Sequence, residues 1–400
     1  MVTEKITLKN PEIYEAGYEI KKEKLESAAE AATEKLKAFA KKNAYYVFPA
    51  TSSDKYKYAM GENKNWECGM YTGCYWLAYQ ITGDDFFREY GEKQLDTYFT
   101  RFEMKAGMAG HDVGFEFMPS VVAAYKLFGR EDMKELAIKA LEYYYPKQYA
   151  QKGRFIIRTT GFGWPDYDIS WYRTMMDSLM NASFLFWGTE ATGNSEYAKA
   201  AIDHVKTTNK LLVRANGSSF HHYQFDPKTE QPLYGATLQG YSADSTWSRG
   251  EAWGAYGFPI AYSYSKEDFL VKLSKDIFFY TLNHLPCDLV PNWDYDFVGT
   301  TLPRDSSAGV ITACGMKELA SLLPDTDTDK ATIISAAAKL TEAVIDNCTG
   351  NPGVPYDGLI HGVTHAYTLD KLHDECAVYG DFFYLEALAR HLLPDFKKYW

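Results

Sequence analysis

The chain has no run of eighteen apolar residues, so no segment reads as a membrane-spanning helix. Its first stretch, MVTEKITLKNPEIYEAG, lacks the apolar centre of a secretory leader, and the expectation is a cytoplasmic protein. Cysteine is sparse. The six residues, Cys68, Cys74, Cys287, Cys314, Cys348 and Cys376, show no C-x-x-C spacing, which argues against a disulfide framework or a structural zinc site. In a reducing compartment the sequons at Asn181, Asn216 and Asn347 carry no meaning. Neither a phosphate-cradling glycine motif nor G-x-S-x-G occurs, which removes the simplest nucleotide-dependent and serine-hydrolase readings. Positive charge is in deficit: 42 Lys and Arg against 53 Asp and Glu leave a formal charge of −11. That balance opposes nucleic acid and anionic membranes as partners.

What is present is helical periodicity and aromatic mass. A 400-residue chain with 46% hydrophobic and 24% charged residues can bury a large core, and it reads as a single domain over 1–400 with 1–23 as an N-terminal extension. Apolar spacing and end signals predict twelve helices near 24–42, 66–82, 84–102, 112–127, 131–149, 174–192, 195–213, 247–265, 267–285, 305–323, 329–347 and 375–393. Strand-like alternation is confined to short pieces such as 154–158 and 218–225. Joints after even-numbered helices are tight, as in ITGDD (81–85) and TGNSE (192–196), whereas joints before them are long, as in 150–173 and 214–246. A helical hairpin therefore recurs six times. The even-numbered helices are apolar almost all round, as an inner ring requires, so the expected fold is an all-α (α/α)6 barrel. Its long loops share the end where the inner helices begin, and unpaired helix N–H groups converge there to favour an anion.

Each inner-helix start carries a conspicuous group. Asn65 and Trp66 open the second helix, His111 and Asp112 the fourth, and Asp177 falls in the first turn of the sixth. Arg249 and Trp253, four apart in WSRGEAW, share one face of the eighth, where a guanidinium fork and a flat indole suit a uronic acid. Asp177 sits among Met, Leu and Phe, surroundings that raise a carboxyl pKa and suit a general acid/base. Asp112 reads alone as a helix cap; beside His111 and facing Asp177 it becomes a second acid. His221, His222, Tyr223 and Gln239 enter from the loop before the eighth helix as hydrogen-bonding candidates; no metal-ligand spacing accompanies the histidines. Ser248 and Glu251 have capping-box spacing, Asp305–Ser307 reads as a capping cluster, and His373, Asp374 and Glu375 stand before the last helix.

These motifs resemble the unsaturated glucuronyl hydrolases of glycoside hydrolase family 88. The likeness runs from Trp66 to Arg390 through NWECGMYTGCYWLAYQITGD, HDVGFEFMPS, MMDSLMNASFLFW, NGSSFHH with FDP, QGYSADSTWSRGEAWGAYGF, RDSSAGVITA and YGDFFYLEALAR. It implies the same barrel and hydration of a terminal unsaturated uronate, with Asp177 protonating C4 and activating the water that adds at C5. Asp112 would be the second essential acid. Trp66, His111, His221 or His222, Gln239, Arg249 and Trp253 would bind the ring and its carboxylate, with no cofactor or metal. Two departures stand out: Glu251 replaces the usual Gln, and the loop HGVTHAYTLDKLHDE, with Thr364, Thr368 and Lys371, lacks the Ser/Lys pattern of relatives that accept sulfated disaccharides. The residues also leave open a rhamnogalacturonyl-type unsaturated hydrolase, an inverting glycosidase on a saturated acidic sugar, and a non-catalytic helical scaffold.

Overall fold

The computed structural model describes residues 2–158, 172–301, 303–367 and 372–400; Thr368 and Lys371 therefore lie outside the described residues. Six inner helical positions form a closed ring: α2 (Cys68–Thr82), α4–α5 (Val113–Phe117 and Ala123–Phe128), α7 (Ser178–Thr192), α9 (Ser248–Ser265), α11 (Ser306–Leu322) and α13 (Val378–Leu392). Each packs on its neighbours in that order, and α13 returns to α2. The outer layer is α3 (Asp85–Met104), α6 (Glu131–Gln148), α8 (Ser195–Leu211), α10 (Phe269–Asn283), α12 (Lys330–Cys348) and α1 (Lys22–Lys42). The first outer helix, α1, pairs with the last inner one, so the chain ends close the barrel.

The layering follows from the residues. Every position of Cys68–Ala78, Ser178–Gly188 and Ser248–Ala261 is buried, whereas the outer helices bury one stripe. Inner helices approach very closely. A Cβ at Gly69 would lie 2.3 Å from the Glu116 carbonyl oxygen, and one at Gly315 would lie 2.3 Å from that of Ala255, so only glycine permits those crossings. The tight joints behave as read: Gly83, Gly129 and Gly193 end their helices with positive φ, while Asp84 and Asn194 cap the next by accepting from Phe86 N and Glu196 N.

Two expectations need correction. The fourth predicted helix is not continuous: Pro119, which lacks an N–H, sits in a π-helical segment, Met118–Val122, between α4 and α5. The sixth does not begin at 174. Residues Arg173–Met175 form a strand (β5) pairing with β6 (His222–Phe225), which in turn pairs with β7 (Pro232–Ala236). Asp177 is consequently the residue before α7 rather than inside its first turn. Shorter hairpins, β1–β2 (Phe48–Pro49, Met60–Gly61) and β3–β4 (Tyr149–Ala150, Phe155–Ile156), complete the loops. Among the described residues no helix is long and apolar enough to cross a membrane.

Candidate active site

The inner-helix starts surround a cleft of about 230 Å³ lined by residues from nearly the whole length of the chain. Asn65 and Trp66 enter ahead of α2, Asp112 ahead of α4, and Met175 and Asp177 ahead of α7. Trp247, Arg249 and Trp253 come from the start of α9, Gln239 from the loop before it, and His365 from the loop before α13. Thr51 and Arg158 complete the wall. Trp66 stacks on Tyr379 at 5.5 Å, and Trp253 packs against Phe115 and Phe383 at 5.2 and 5.5 Å, so both indoles are held rigid.

The acids form one cluster around His111. Its Nε2 lies 2.9 Å from Asp112 Oδ1 and 3.5 Å from Asp177 Oδ2, while its Nδ1 meets Ser178 Oγ at 2.9 Å. Burial disfavours the charged imidazole, but the two carboxylates outweigh it and raise the His111 pKa. Burial also works to raise Asp112; the charges of His111 and Arg158 overcome it and hold that carboxyl far below the usual range. Arg158 Nη1 donates to Asp112 Oδ2, so both oxygens of Asp112 are occupied by cationic donors. Asp177 is different. Its side chain is 16% exposed, and its Oδ1 has no hydrogen-bond partner among the described residues. One carboxylate is thus locked and ionised while the other opens on the cleft.

The ligand atoms of His111, Asp112 and Asp177 lie within 4.8 Å of one another, close enough for a cation. A metal there would have to take the lone pair of an imidazole whose proton is favoured, and compete with Arg158 for Asp112. The donor set fits a proton-holding cluster better.

Other residues depart from the sequence-based reading. Arg249 does line the cleft with Trp253, but its guanidinium is not an open fork. It donates to Asp305, to Thr364 O at 3.0 Å and to His365 O at 2.6 Å, and it lies between the rings of Trp247 and Tyr379 at 4.5 and 4.7 Å. Gln239 Nε2 reaches the same His365 carbonyl at 2.7 Å. Neither His221 nor His222 is part of the cleft wall. His221 sits behind Trp247, ring centroids 4.3 Å apart, with Nδ1 accepting from Leu238 N at 3.2 Å. Burial, aided by His222, Arg173 and Arg249, lowers its pKa and keeps it neutral. His222 is paired with Met175 in the sheet.

The capping readings also fail. Glu251 accepts from Ser219 Oγ instead of closing a box with Ser248, whose hydroxyl donates to Trp293 O at 3.1 Å. Asp305 accepts from Arg249 and Ser307 and makes no side-chain cap. Glu375 accepts from Ser53 Oγ and from Lys55 N and Tyr56 N, and Asp374 accepts from Arg304 N, so both pin loops away from the cleft. Arg158, Ser178, Trp247 and His365 were missed by sequence reasoning. Two of them carried a signal: Trp247 opens WSRGEAW, and Arg158 is a cation ending a strand-like run at the edge of a long loop.

The chain is similar to known proteins along most of its length. The family model for Glycosyl Hydrolase Family 88 matches residues 40–275. The unsaturated chondroitin disaccharide hydrolase of Streptococcus pyogenes serotype M1 is 37% identical over 357 residues, covering 88% of this chain and 87% of that protein. The unsaturated glucuronyl hydrolase of Bacillus sp. strain GL1 is 32% identical over 345 residues, covering 86% and 90%. The crystal structure of unsaturated glucuronyl hydrolase from Streptococcus agalactiae superposes with a TM-score of 0.93 at 32% identity, covering 100% of this chain and 99% of that one. A mutant of that enzyme complexed with dGlcA-GalNAc6S superposes with a TM-score of 0.86 at 30% identity, covering 99% and 100%. On fold, on sequence and on the spread of both along its length, the chain belongs to glycosyl hydrolase family 88.

Proposed function

We propose that this cleft hydrates the C4=C5 double bond of a terminal unsaturated uronic acid in a lyase-generated disaccharide of hyaluronan or chondroitin type, releasing the neighbouring sugar. The observation that carries the reading is the division between the acids: Asp112 is saturated by His111 and Arg158, whereas Asp177 lines the same cleft, walled by Trp66 and Trp253, with a side chain 16% exposed and one buried oxygen that no described residue binds. The proton on Asp177 passes to C4. Water adds at C5 and returns a proton to Asp177, so one carboxyl group gives and takes in the same cycle. The resulting C5 hemiketal opens by breaking its bond to the ring oxygen, which leaves a ketone at C5 and a hemiacetal at C1. Collapse of that hemiacetal to an aldehyde expels the neighbouring sugar, and one water is consumed overall.

The remaining groups have supporting roles. Trp66 and Trp253 wall the cleft that receives the ring, and Gln239 with Arg249 lines it beside them. Arg249 is held there by Asp305, and His111 and His221 act from behind the wall. No cofactor is required, and the six free thiols fit a reducing, cytoplasmic compartment. The inverting-glycosidase reading fares worse: it needs carboxyl groups roughly 6.5–9.5 Å apart with room for water, whereas Asp112 and Asp177 offer oxygens within 4.8 Å. Incubation with a panel of unsaturated disaccharides tests the proposal; the alkene ultraviolet absorbance should fall for a glucuronyl-type substrate. Unchanged absorbance across the panel, or activity confined to a galacturonyl–rhamnose substrate, refutes it.

A further inference from the structure

Arg158 comes from outside the helical ring, yet it reaches the cleft wall and contacts Asp112. Its backbone is fastened by a two-way bridge, Arg158 N donating to Arg173 O at 2.6 Å and Arg173 N donating to Arg158 O at 3.3 Å. Arg173 begins β5, and β5 runs directly into Asp177. The same bridge therefore ties the cation that grips Asp112 to the strand that delivers Asp177. The two acids, which the sequence separates by a whole hairpin, are set against each other through this residue.

The charges around Asp112 show what the grip accomplishes. His111 faces Asp112 on one side and Arg158 on the other; Asp177 lies across His111. Glu116 stands one turn along the inner helix, paired with Arg101, and Tyr144 from α6 donates to the His111 carbonyl oxygen. Without Arg158, Asp112 would keep His111 as its one cationic partner and lose the donor on its second oxygen. Both side chains line the cleft and both are largely buried, Arg158 at 13% and Asp112 at 7% exposure.

Resting on the hydration reading above, we propose that Arg158 is a positioning residue of the reaction: it holds Asp112 as an oriented anion, so that the proton exchanged with substrate belongs to Asp177 alone. A carboxylate so held is also a fixed negative charge beside the positive character that develops as C4 is protonated. Loss of the grip frees Asp112 to rotate and to take a proton.

The test is the pH profile and the split between kcat and KM for Arg158→Gln and Arg158→Lys on an unsaturated disaccharide. Removing the cation raises the Asp112 pKa. If activity needs ionised Asp112, the acidic limb of kcat/KM then moves to higher pH in Arg158→Gln. Its kcat should fall on the order of 10²-fold, the scale of a misplaced catalytic group, with KM changed by less than about threefold. Arg158→Lys, which keeps a charge, should retain at least about a tenth of kcat and leave the limb near the wild-type position. Wild-type kcat and limb in Arg158→Gln overturn the proposal, as does a loss that falls wholly on KM. If Arg158→Gln fails to fold, a folded Arg158→Lys whose kcat is as low as that of Asp177→Asn overturns it. Wild-type enzyme that leaves the alkene untouched defeats the hydration reading instead, which separates the two failures.

Discussion

On the hydration proposed above, replacing Asp177 by Asn removes the proton-exchanging group and almost nothing else. The amide is isosteric with the carboxyl group, and among the described residues the side chain meets His111 alone, at 3.5 Å, with Oδ1 unpartnered. Lost hydrogen bonding therefore costs folding stability no more than about 1 kcal/mol. The catalytic loss should be far larger, because an amide neither gives a proton to C4 nor takes one from water. A general acid/base contributes roughly 10²–10⁴-fold, or roughly 3–5 kcal/mol of barrier at about 1.4 kcal/mol per factor of ten. The assay is loss of alkene absorbance from an unsaturated disaccharide under saturating substrate, run beside a thermal melt. Asp177→Asn should show a near-native melt, a KM within a few-fold of wild type and a kcat down by at least two orders of magnitude. A folded variant retaining more than about a tenth of wild-type kcat would refute the assignment.

Arg249→Met should destabilise the protein by roughly 3–5 kcal/mol, because it strands the buried carboxylate of Asp305 without its cation; denaturant unfolding measures this, and an unchanged midpoint contradicts the pairing seen here. Glu251→Gln should flatten part of the pH dependence of stability. Burial, partly offset by the Ser219 hydrogen bond, pushes the Glu251 pKa up to about 8. The unfolded chain ionises first as pH rises from about 4.5. Wild type therefore loses stability between that point and about 8, while the Gln variant does not. Melting temperatures of the two should diverge in favour of the variant across that window, and parallel curves contradict the shift. Trp66→Ala should raise KM about tenfold with a smaller change in kcat, since the indole is a half-buried platform stacked on Tyr379; initial-rate kinetics decides, and an unchanged KM removes Trp66 from the sugar site.

The ring of inner helices was legible because a helix buried on every side has no polar stripe, and α2, α7 and α9 advertise that directly. Their convergence brought Asp112, Asp177, Arg249 and Trp253 to one cleft as the alternation of short and long joints implied. What escaped reading depends on partners distant in sequence. The strand before Asp177 is three residues long and owes its existence to pairing with His222–Phe225, so local apolar spacing read it as helix. Arg158 finds Asp112 across 46 positions, a contact no local pattern encodes. Ser248 and Glu251 have the spacing of a capping box, yet tertiary partners, Trp293 O and Ser219 Oγ, claim both side chains. The same holds for Arg249: its fork suggested an external carboxylate, while Asp305 and two loop carbonyls already occupy its donors.

Direct observation of the alkene during turnover bears most closely on the central claim, that water adds across C4=C5 at Asp177 rather than at the glycosidic carbon. Proton NMR of an unsaturated disaccharide with enzyme can follow the vinyl signal and the released sugar in one experiment. The mechanism predicts that the vinyl signal disappears in step with sugar release or ahead of it. Sugar released while the vinyl proton of the uronate persists would contradict it.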